Sequence, residues 1–319
     1  MAKARLSGDE ERSLAIRAAW LHYVGGLRQA EVAKRLGVPS VKAHRLIARA
    51  VAEGAVKVTI EGEIIECIEL GEAICARYGL RTCEVAPDLE EDGLPLRTLG
   101  LAGASLLRRW LEGGEAMTIG VSHGRTLAEA VHSMPRIETK GIKFVSLFGG
   151  LTRNFAANPH DVMHLLAEKT GAPAYVMPVP FFANTAEDRE VLLSQRGVAE
   201  IIEMGENAPL KFVGLGTVKP ETQLVTSGMI EPAEIKAIDR AGGVGEMLGH
   251  FFDRNGQIVE TALSPRTLSV SMDKASDQNI IALAGGPGKI EAIRAILRSG
   301  KLSGLVTDER TATALLQND

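Results

Sequence analysis

Two groups of side chains in this 319-residue chain have the types and spacing to do chemistry. The first lies in the stretch 27–50, LRQAEVAKRLGVPSVKAHRLIARA. It holds the cations Arg28, Lys34, Arg35, Lys42, Arg45 and Arg49 against a single acid, Glu31, in a chain whose net charge is −4. A basic island on an otherwise acidic protein is an electrostatic footprint for DNA phosphates. Arg28 and Lys34 are expected to meet phosphates, whereas Ser40, Lys42, His44 and Arg45 are expected to face the major groove, and Gln29 and Arg49 are also expected to contact DNA.

The second group is a set of glycine-rich loops: 120–126 (GVSHGRT), 149–152 followed by Arg153, 214–217 (GLGT) and 285–289 (GGPGK). In the first loop, backbone N–H groups around Gly124 and the hydroxyls of Ser122 and Thr126 can cradle an anion at a helix N-terminus, with Arg125 adding charge and His123 beside it. This is not a Walker A loop, because no G-K-[ST] follows. Lys289 opens a helix and can present a cation to an anionic group. Glu246 ends the run GGVGE, where a carboxylate suits the donor hydroxyls of a sugar. Any one glycine can simply turn the chain, but four such loops are more than turning requires.

The elements that must position these groups are legible as patterns. Val32, Leu36, Val38 and Leu46 have the spacing by which two crossing helices share a core, Ala33 is small where they touch, and Gly37 suits a left-handed turn. Pro39 can open the second helix, which runs over 39–50. A first helix is expected over 14–24, with Leu14, Ala18, Leu21 and Val24 inward, and a short β-like run over 56–60. Residues 61–78 read as a helix broken or bent near Gly71, a linker or a dimer helix. From about residue 98 short apolar runs alternate with helices. Strands are expected over 117–121, 144–148, 174–179, 212–215 and 280–284. Helices are expected over 98–112, 125–134, 161–170, 290–299 and 311–317. That alternation indicates βαβ units and a mainly parallel sheet, whose ligand sits beyond the carboxyl ends of its strands.

Composition narrows the class. The length suits two domains, placed at 1–60 and 61–319. No apolar run reaches the roughly 18 residues of a transmembrane helix, and 1–14 has no apolar signal-peptide core, so a cytoplasmic location is expected and no membrane partner. Cys67, Cys75 and Cys83 form no C-x-x-C pair, and they read as reduced small hydrophobes with no metal site. With 4% aromatics, stacking on single-stranded bases is not the expected mode.

The residues also resemble a family. The segments AAWLHYVGGLRQAEVAKRLGVPSVKAHRLIARAVAEGAVKV, IGVSHGRTLAEAV, GGVGEMLGHFFDRNG and GKIEAIRAILRSGKLSGLVTDERTATALL occur in order, and together they are similar to the SorC-type transcriptional regulators, grouped with the DeoR regulators. The resemblance implies an all-α helix-turn-helix domain followed by an α/β effector domain of the glucosamine-phosphate isomerase and ribose-phosphate isomerase type. It implies a homo-oligomer, dimer or tetramer, bound to double-stranded operator DNA and controlled by a sugar, polyol or sugar-phosphate effector. Carried over by position, the effector contacts are Ser122, Gly124, Arg125, Thr126, Gly149, Gly150, Glu246 and Lys289. The chain departs from the family at Pro39-Ser40, at His123 and at Glu246, where aspartate is frequent. Neither a cofactor nor a catalytic residue is expected. The rival is a sugar-phosphate isomerase or deaminase of the same fold, which has no use for a basic helix-turn-helix and for which Glu246 is a base without an evident second partner.

Overall fold

The computed structural model describes residues 8–56, 64–150, 160–272 and 278–317. The chain divides into two compact units, Met1–Gly62 and Glu63–Asp319.

The first unit is helical. Helix α1 (Gly8–Ala19) passes into one π-helical turn, Trp20–Val24, followed by α2 (Gln29–Leu36) and α3 (Ser40–Ala52). Its core is built largely from alanine: Ala15, Ala18, Ala43 and Ala50 are fully buried around Val32, Leu46 and Ile47, which lets the helices approach closely. Gly37 ends α2 at φ 64°, as the turn requires. Pro39 stands one residue before the helix, and its carbonyl accepts from the N–H groups of Lys42 and Ala43. Glu31, the one acid of the basic stretch, accepts the Arg28 N–H at 2.7 Å and so closes the start of α2. One expectation is corrected here. The π turn, closed by Gly25 N–H to the Trp20 carbonyl at 3.0 Å, replaces the last α-turn, and Val24 is 67% exposed instead of inward. Of the expected run 56–60, Val56 is in no strand and 57–60 lie outside the described residues.

In the second unit α4 (Ile65–Tyr78) leads to β1 (Thr82–Ala86), α5 (Leu96–Glu112), β2 (Thr118–Val121), α6 (Arg125–Ser133) and β3 (Lys143–Ser146). Then come α7 (Met163–Thr170), β4 (Ala174–Tyr175), α8 (Ala186–Leu193), α9 (Arg196–Glu206), β5 (Leu210–Gly214) and β6 (Gly216–Thr217). The chain continues through α10 (Gln223–Thr226), α11 (Pro232–Arg240), β7 (Gly245–Met247), β8 (His250–Phe252) and β9 (Ile258–Val259). It closes with β10 (Asn279–Leu283), α12 (Ile290–Arg298), β11 (Gly304–Asp308) and α13 (Glu309–Leu316). The large sheet has the order β1-β11-β10-β5-β2-β3-β4 with every pairing parallel, and β6-β7-β8-β9 form a small antiparallel sheet.

Both faces of the large sheet are covered, so its strands alternate between two cores. Phe212, Ile281, Leu283 and Val306 pack with Leu107, Leu127 and Leu166 of α5, α6 and α7. Val213, Ile280, Ala282 and Leu305 pack with Ile74, Ile235, Ile293 and Leu315 of α4, α11, α12 and α13. The buried cation in β5, Lys211, donates to the Glu206 carbonyl and to Gln278 Oε1, both at 2.9 Å, at the end of α9. The expected strand over 174–179 shrinks to Ala174–Tyr175, and β1, β11, the small sheet and α8 to α11 add to the expected elements.

Helix α4 runs unbroken through Gly71, which corrects the expected bend. The glycine serves a close approach: a Cβ there would lie 2.6 Å from the Cys83 carbonyl oxygen of β1. On helix propensity alone Gly71→Ala stabilises by about 1 kcal/mol. The packing reverses the sign, and we expect a loss of about 1–3 kcal/mol as α4 is pushed off β1. Chemical denaturation of the full chain measures it, and a variant as stable as the parent or more so would refute the close-packing account.

Candidate functional site

The chain leaves β2 toward β3 and β4 on one side, and leaves β5 toward β10 and β11 on the other. At such a reversal of strand order the loops diverge and leave a crevice beyond the strand ends. A cavity of about 280 Å3 lies there, lined by residues from three of the four glycine loops together with Glu246.

The first loop supplies Ser122, His123, Gly124, Arg125 and Thr126. Ser122 is buried; its N–H donates to the Phe212 carbonyl at 2.9 Å, and its Oγ accepts the Gly214 N–H at 3.0 Å, which ties the ends of β2 and β5 together. No side chain caps α6, whose preceding residue is Gly124 at φ 142°. The first-turn N–H groups of the helix are thus available for an electronegative ligand atom. Thr126 is buried and Arg125 is exposed at the same helix start.

Glu246 and Lys289 face this loop from the other side. Glu246 is on β7, paired with Gly216 of β6, and its Oε1 accepts the Gly249 N–H at 2.7 Å. Burial pushes its carboxyl up to about 7, against the opposing pull of the Gly249 N–H and the Lys289 charge. Lys289 donates from Nζ to the Leu215 carbonyl at 2.6 Å. Burial brings its ammonium down to about 8, helped by the like charge of Arg125 and opposed by Glu246. The tight turn between β7 and β8 places Leu248 against the cavity at φ 52°, a left-handed conformation that costs a leucine energy and persists only where the surroundings enforce it. The loop bearing Lys289 is anchored from α13: the Gly286 N–H is shared between Asp308 Oδ2 at 3.1 Å and Thr311 Oγ at 2.7 Å.

His123 is buried, its ring edge-on to Phe148 at 4.7 Å, and Phe148 stacks on Phe181 at 4.1 Å. Ser146 donates to the Phe148 carbonyl at 2.7 Å, so the 3.3 Å contact between Ser146 Oγ and His123 Nε2 places a proton on Nε2. Nδ1 lies 3.6 Å from Asp161 Oδ1 and has no hydrogen-bond partner among the described residues. Burial lowers the affinity of the ring for a second proton, and Asp161 opposes that.

Gly149 and Gly150 do not line the cavity. A Cβ at Gly149 would sit 2.2 Å from the Pro180 carbonyl oxygen, and the two N–H groups are bonded to the carbonyls of Leu268 and Met177. A Cβ at Gly150 would lie 3.6 Å from His123 Nε2. Thr152 and Arg153 lie outside the described residues. Several wall residues escaped the sequence reading: Gly93 and Leu94 from the loop before α5, the segment 219–224, and Phe148, Phe181 and Leu248. The loop before α5 had a signal in Glu91, whose carboxylate accepts the N–H groups of Arg97 and Thr98 and so fixes the helix start.

In the first unit Arg28, Gln29, Lys34, Ser40, His44 and Arg45 are exposed and Lys42 is half-buried. Arg49 is committed elsewhere: it pairs with Glu53 at 2.6 Å and with Glu11 of α1 at 2.9 Å, clamping α3 to α1. Among the described residues no set of three or more His, Cys, Asp or Glu is arranged to hold a metal ion, and no helix is long and apolar enough to cross a membrane.

Comparison with known proteins supplies the family. Residues 62–317 match the model of a sugar-binding domain family. The chain is 64% identical over 308 residues, 97% of its length and 98% of the relative's, to the erythritol catabolism regulatory protein EryD of Brucella abortus. It is 28% identical over 97% of its length, and 99% of the relative's, to the deoxyribonucleoside regulator of Bacillus subtilis. The crystal structure of the full-length sorbitol operon regulator SorC from Klebsiella pneumoniae superposes with a TM-score of 0.70 at 25% identity, covering 98% of this chain and all of that one. A helical first unit, an α/β second unit with a parallel sheet, and relatives named as regulators throughout place this chain in the family of SorC-type sugar-binding transcriptional regulators.

Proposed function

We propose that this chain represses a polyol catabolic operon in the cytoplasm, binding operator DNA as a homo-oligomer and releasing it when a small effector fills the cavity. The observation that carries the reading is the convergence of the α6 N-terminus, Glu246 and Lys289 on one small cavity at the sheet edge. The likeness to a protein named for erythritol catabolism points to a four-carbon polyol, or its phosphate, as the effector. Its hydroxyls donate to Glu246 and accept from the first-turn N–H groups of α6, and an anionic end, where there is one, meets Lys289 and Arg125. The likeness to named regulators supports a binding role over an isomerase.

On the DNA side, Arg45 reads a base edge from the exposed face of α3, while Arg28 and Lys34 hold phosphates. Arg45→Ala is expected to cost about 1–3 kcal/mol of operator binding and to relax discrimination at one base pair. Lys34→Ala is expected to weaken all sequences alike and to flatten the salt dependence. Titrations of selected and scrambled duplexes at several salt concentrations separate the two. Equal losses on both duplexes for Arg45→Ala would remove it from the base-reading set.

On the effector side, Lys289→Ala is expected to leave operator binding intact and to blunt release, most strongly for a phosphorylated effector. Proton exchange on binding identifies the effector chemistry. Hydroxyl donors at Glu246 favour its carboxylate and pull it below about 7, so a neutral polyol releases protons at pH 7.5. A phosphate at Lys289 favours its ammonium and lifts it above about 8, so a phosphorylated ligand, whose hydroxyls still reach Glu246, releases fewer protons than the neutral polyol or takes protons up. Calorimetry of erythritol and erythritol phosphate in buffers of different ionisation heat reads the sign directly. Binding of erythritol with no proton release would place the effector away from Glu246.

A further inference from the structure

The glycines that wall the cavity divide by cause, and one of them has no cause within the protein. Gly93, Gly124 and Gly286 hold φ of 74, 142 and 95°, a range in which a side chain is strained. Gly216 and Gly285 admit a neighbour: a Cβ would lie 2.5 Å from Glu246 Oε2 at the first and 2.1 Å from Asp308 Oδ2 at the second. Gly288 is exposed. Gly214 fits none of these cases. It ends β5, half-buried and paired with Leu283 of β10, and its φ is not left-handed. Apart from its chain neighbours, a Cβ there would meet one atom of the described residues within 4 Å, the His123 carbonyl oxygen at 3.5 Å, which is an ordinary contact. A glycine inside a strand weakens it, so the fold alone favours alanine at this position. Gly214 shares a sheet face with Phe212, the face that α6 covers, and its bare Cα is part of the cavity wall beside the first loop.

We infer that the missing side chain of Gly214 is space for the effector, and that a hydroxyl-bearing carbon of the ligand rests on its Cα and donates to the His123 carbonyl. The inference rests on the reading of this cavity as the effector site and deepens it by naming the residue that limits the bulk of the ligand. The carbonyl has capacity for that bond: among the described residues it receives Ser122 Oγ at 3.5 Å, at the outer limit of a hydrogen bond. A saturated carbon with a hydroxyl offers both groups at once, a C–H surface to the backbone and an O–H to the carbonyl. A carboxylate in the same place has no proton to give and faces the carbonyl dipole with like charge.

Gly214→Ala in the full chain tests this with two measurements. In chemical denaturation without ligand, its midpoint is expected to equal or exceed that of the wild type, because the methyl group meets no close neighbour and the unfolded chain loses freedom. In calorimetry its affinity for erythritol or erythritol phosphate, whichever the wild type binds, is expected to fall about tenfold or more, because the methyl group occupies the place of the ligand carbon. A midpoint below that of the wild type assigns the glycine to the protein's own packing and overturns the inference. Undiminished affinity in a stable Gly214→Ala overturns it too and leaves the polyol reading standing. Failure of the wild-type chain to bind either compound overturns the polyol reading, and this inference falls with it.

Discussion

Two opposite charges buried at the carboxyl edge of one parallel sheet set the terms for the second unit. Taking either charge out of water is costly, and the cost is met only where backbone groups and an opposite charge are both at hand. Glu246 and Lys289 meet it in parallel: each is hydrogen-bonded to the backbone and each feels the other's field. Burial still outweighs that help, bringing the carboxyl up to about 7 and the ammonium down to about 8. Near neutral pH both groups therefore stand close to their midpoints. A ligand that adds one donor to Glu246, or one acceptor to Lys289, changes the proton balance of the wall as well as its contacts.

The surrounding architecture keeps those two charges from relaxing toward solvent. Glu246 is held on a strand by the β6 pairing and by the N–H of Gly249, and that bond requires the tight turn with Leu248 in a left-handed conformation. Lys289 is held through its loop, which Asp308 and Thr311 anchor to α13. The end of β2 is fastened to β5 by the Ser122 hydroxyl. These anchors tie the loops that line the cavity to the ends of regular elements. His123 is the exception. Among the described residues its buried Nδ1 has no hydrogen-bond partner, and it lies 3.6 Å from Asp161 Oδ1.

The parts of this fold and site that are legible in the sequence are those where one residue type has one physical use. Glycine next to hydroxyls and a helix start marks the loop 120–126, which lines the cavity, and the spacing of Val32, Leu36, Val38 and Leu46 around Gly37 marks α2 and α3. The small antiparallel sheet was not legible because its turn is Leu248-Gly249, without the Asn-Gly or Asp-Gly that announces such hairpins, and because its strands are two or three residues long. The strand β1, TCEVA, carries a glutamate and so hides among polar loops. Gly71 looks like a break because glycine usually is one, and only the position of the Cys83 carbonyl reveals a packing role. Arg49 reads as one more DNA-binding cation because spacing cannot tell that Glu11, far away in the chain, pairs with it. Gly149 shows the same limit: a glycine that admits a neighbouring backbone and one that admits a ligand are identical in sequence.

Coupling the cavity to DNA is a question of magnitude. An effector that binds two arrangements of the oligomer equally well shifts nothing, however tightly it binds. Lowering operator affinity a hundredfold requires about 2.7 kcal/mol of preference for one arrangement. A hydrogen bond to a charged group contributes about 1.5–3 kcal/mol net. One or two effector hydroxyls that reach Glu246 in the released arrangement and miss it in the operator-bound one are therefore enough. The requirement falls on the accuracy with which Glu246 is held, since a carboxylate free to follow the ligand would bind it equally in both arrangements. That is a physical reason for placing it on a paired strand, with its Oε1 already bonded to Gly249, and for accepting the cost of a left-handed leucine beside it.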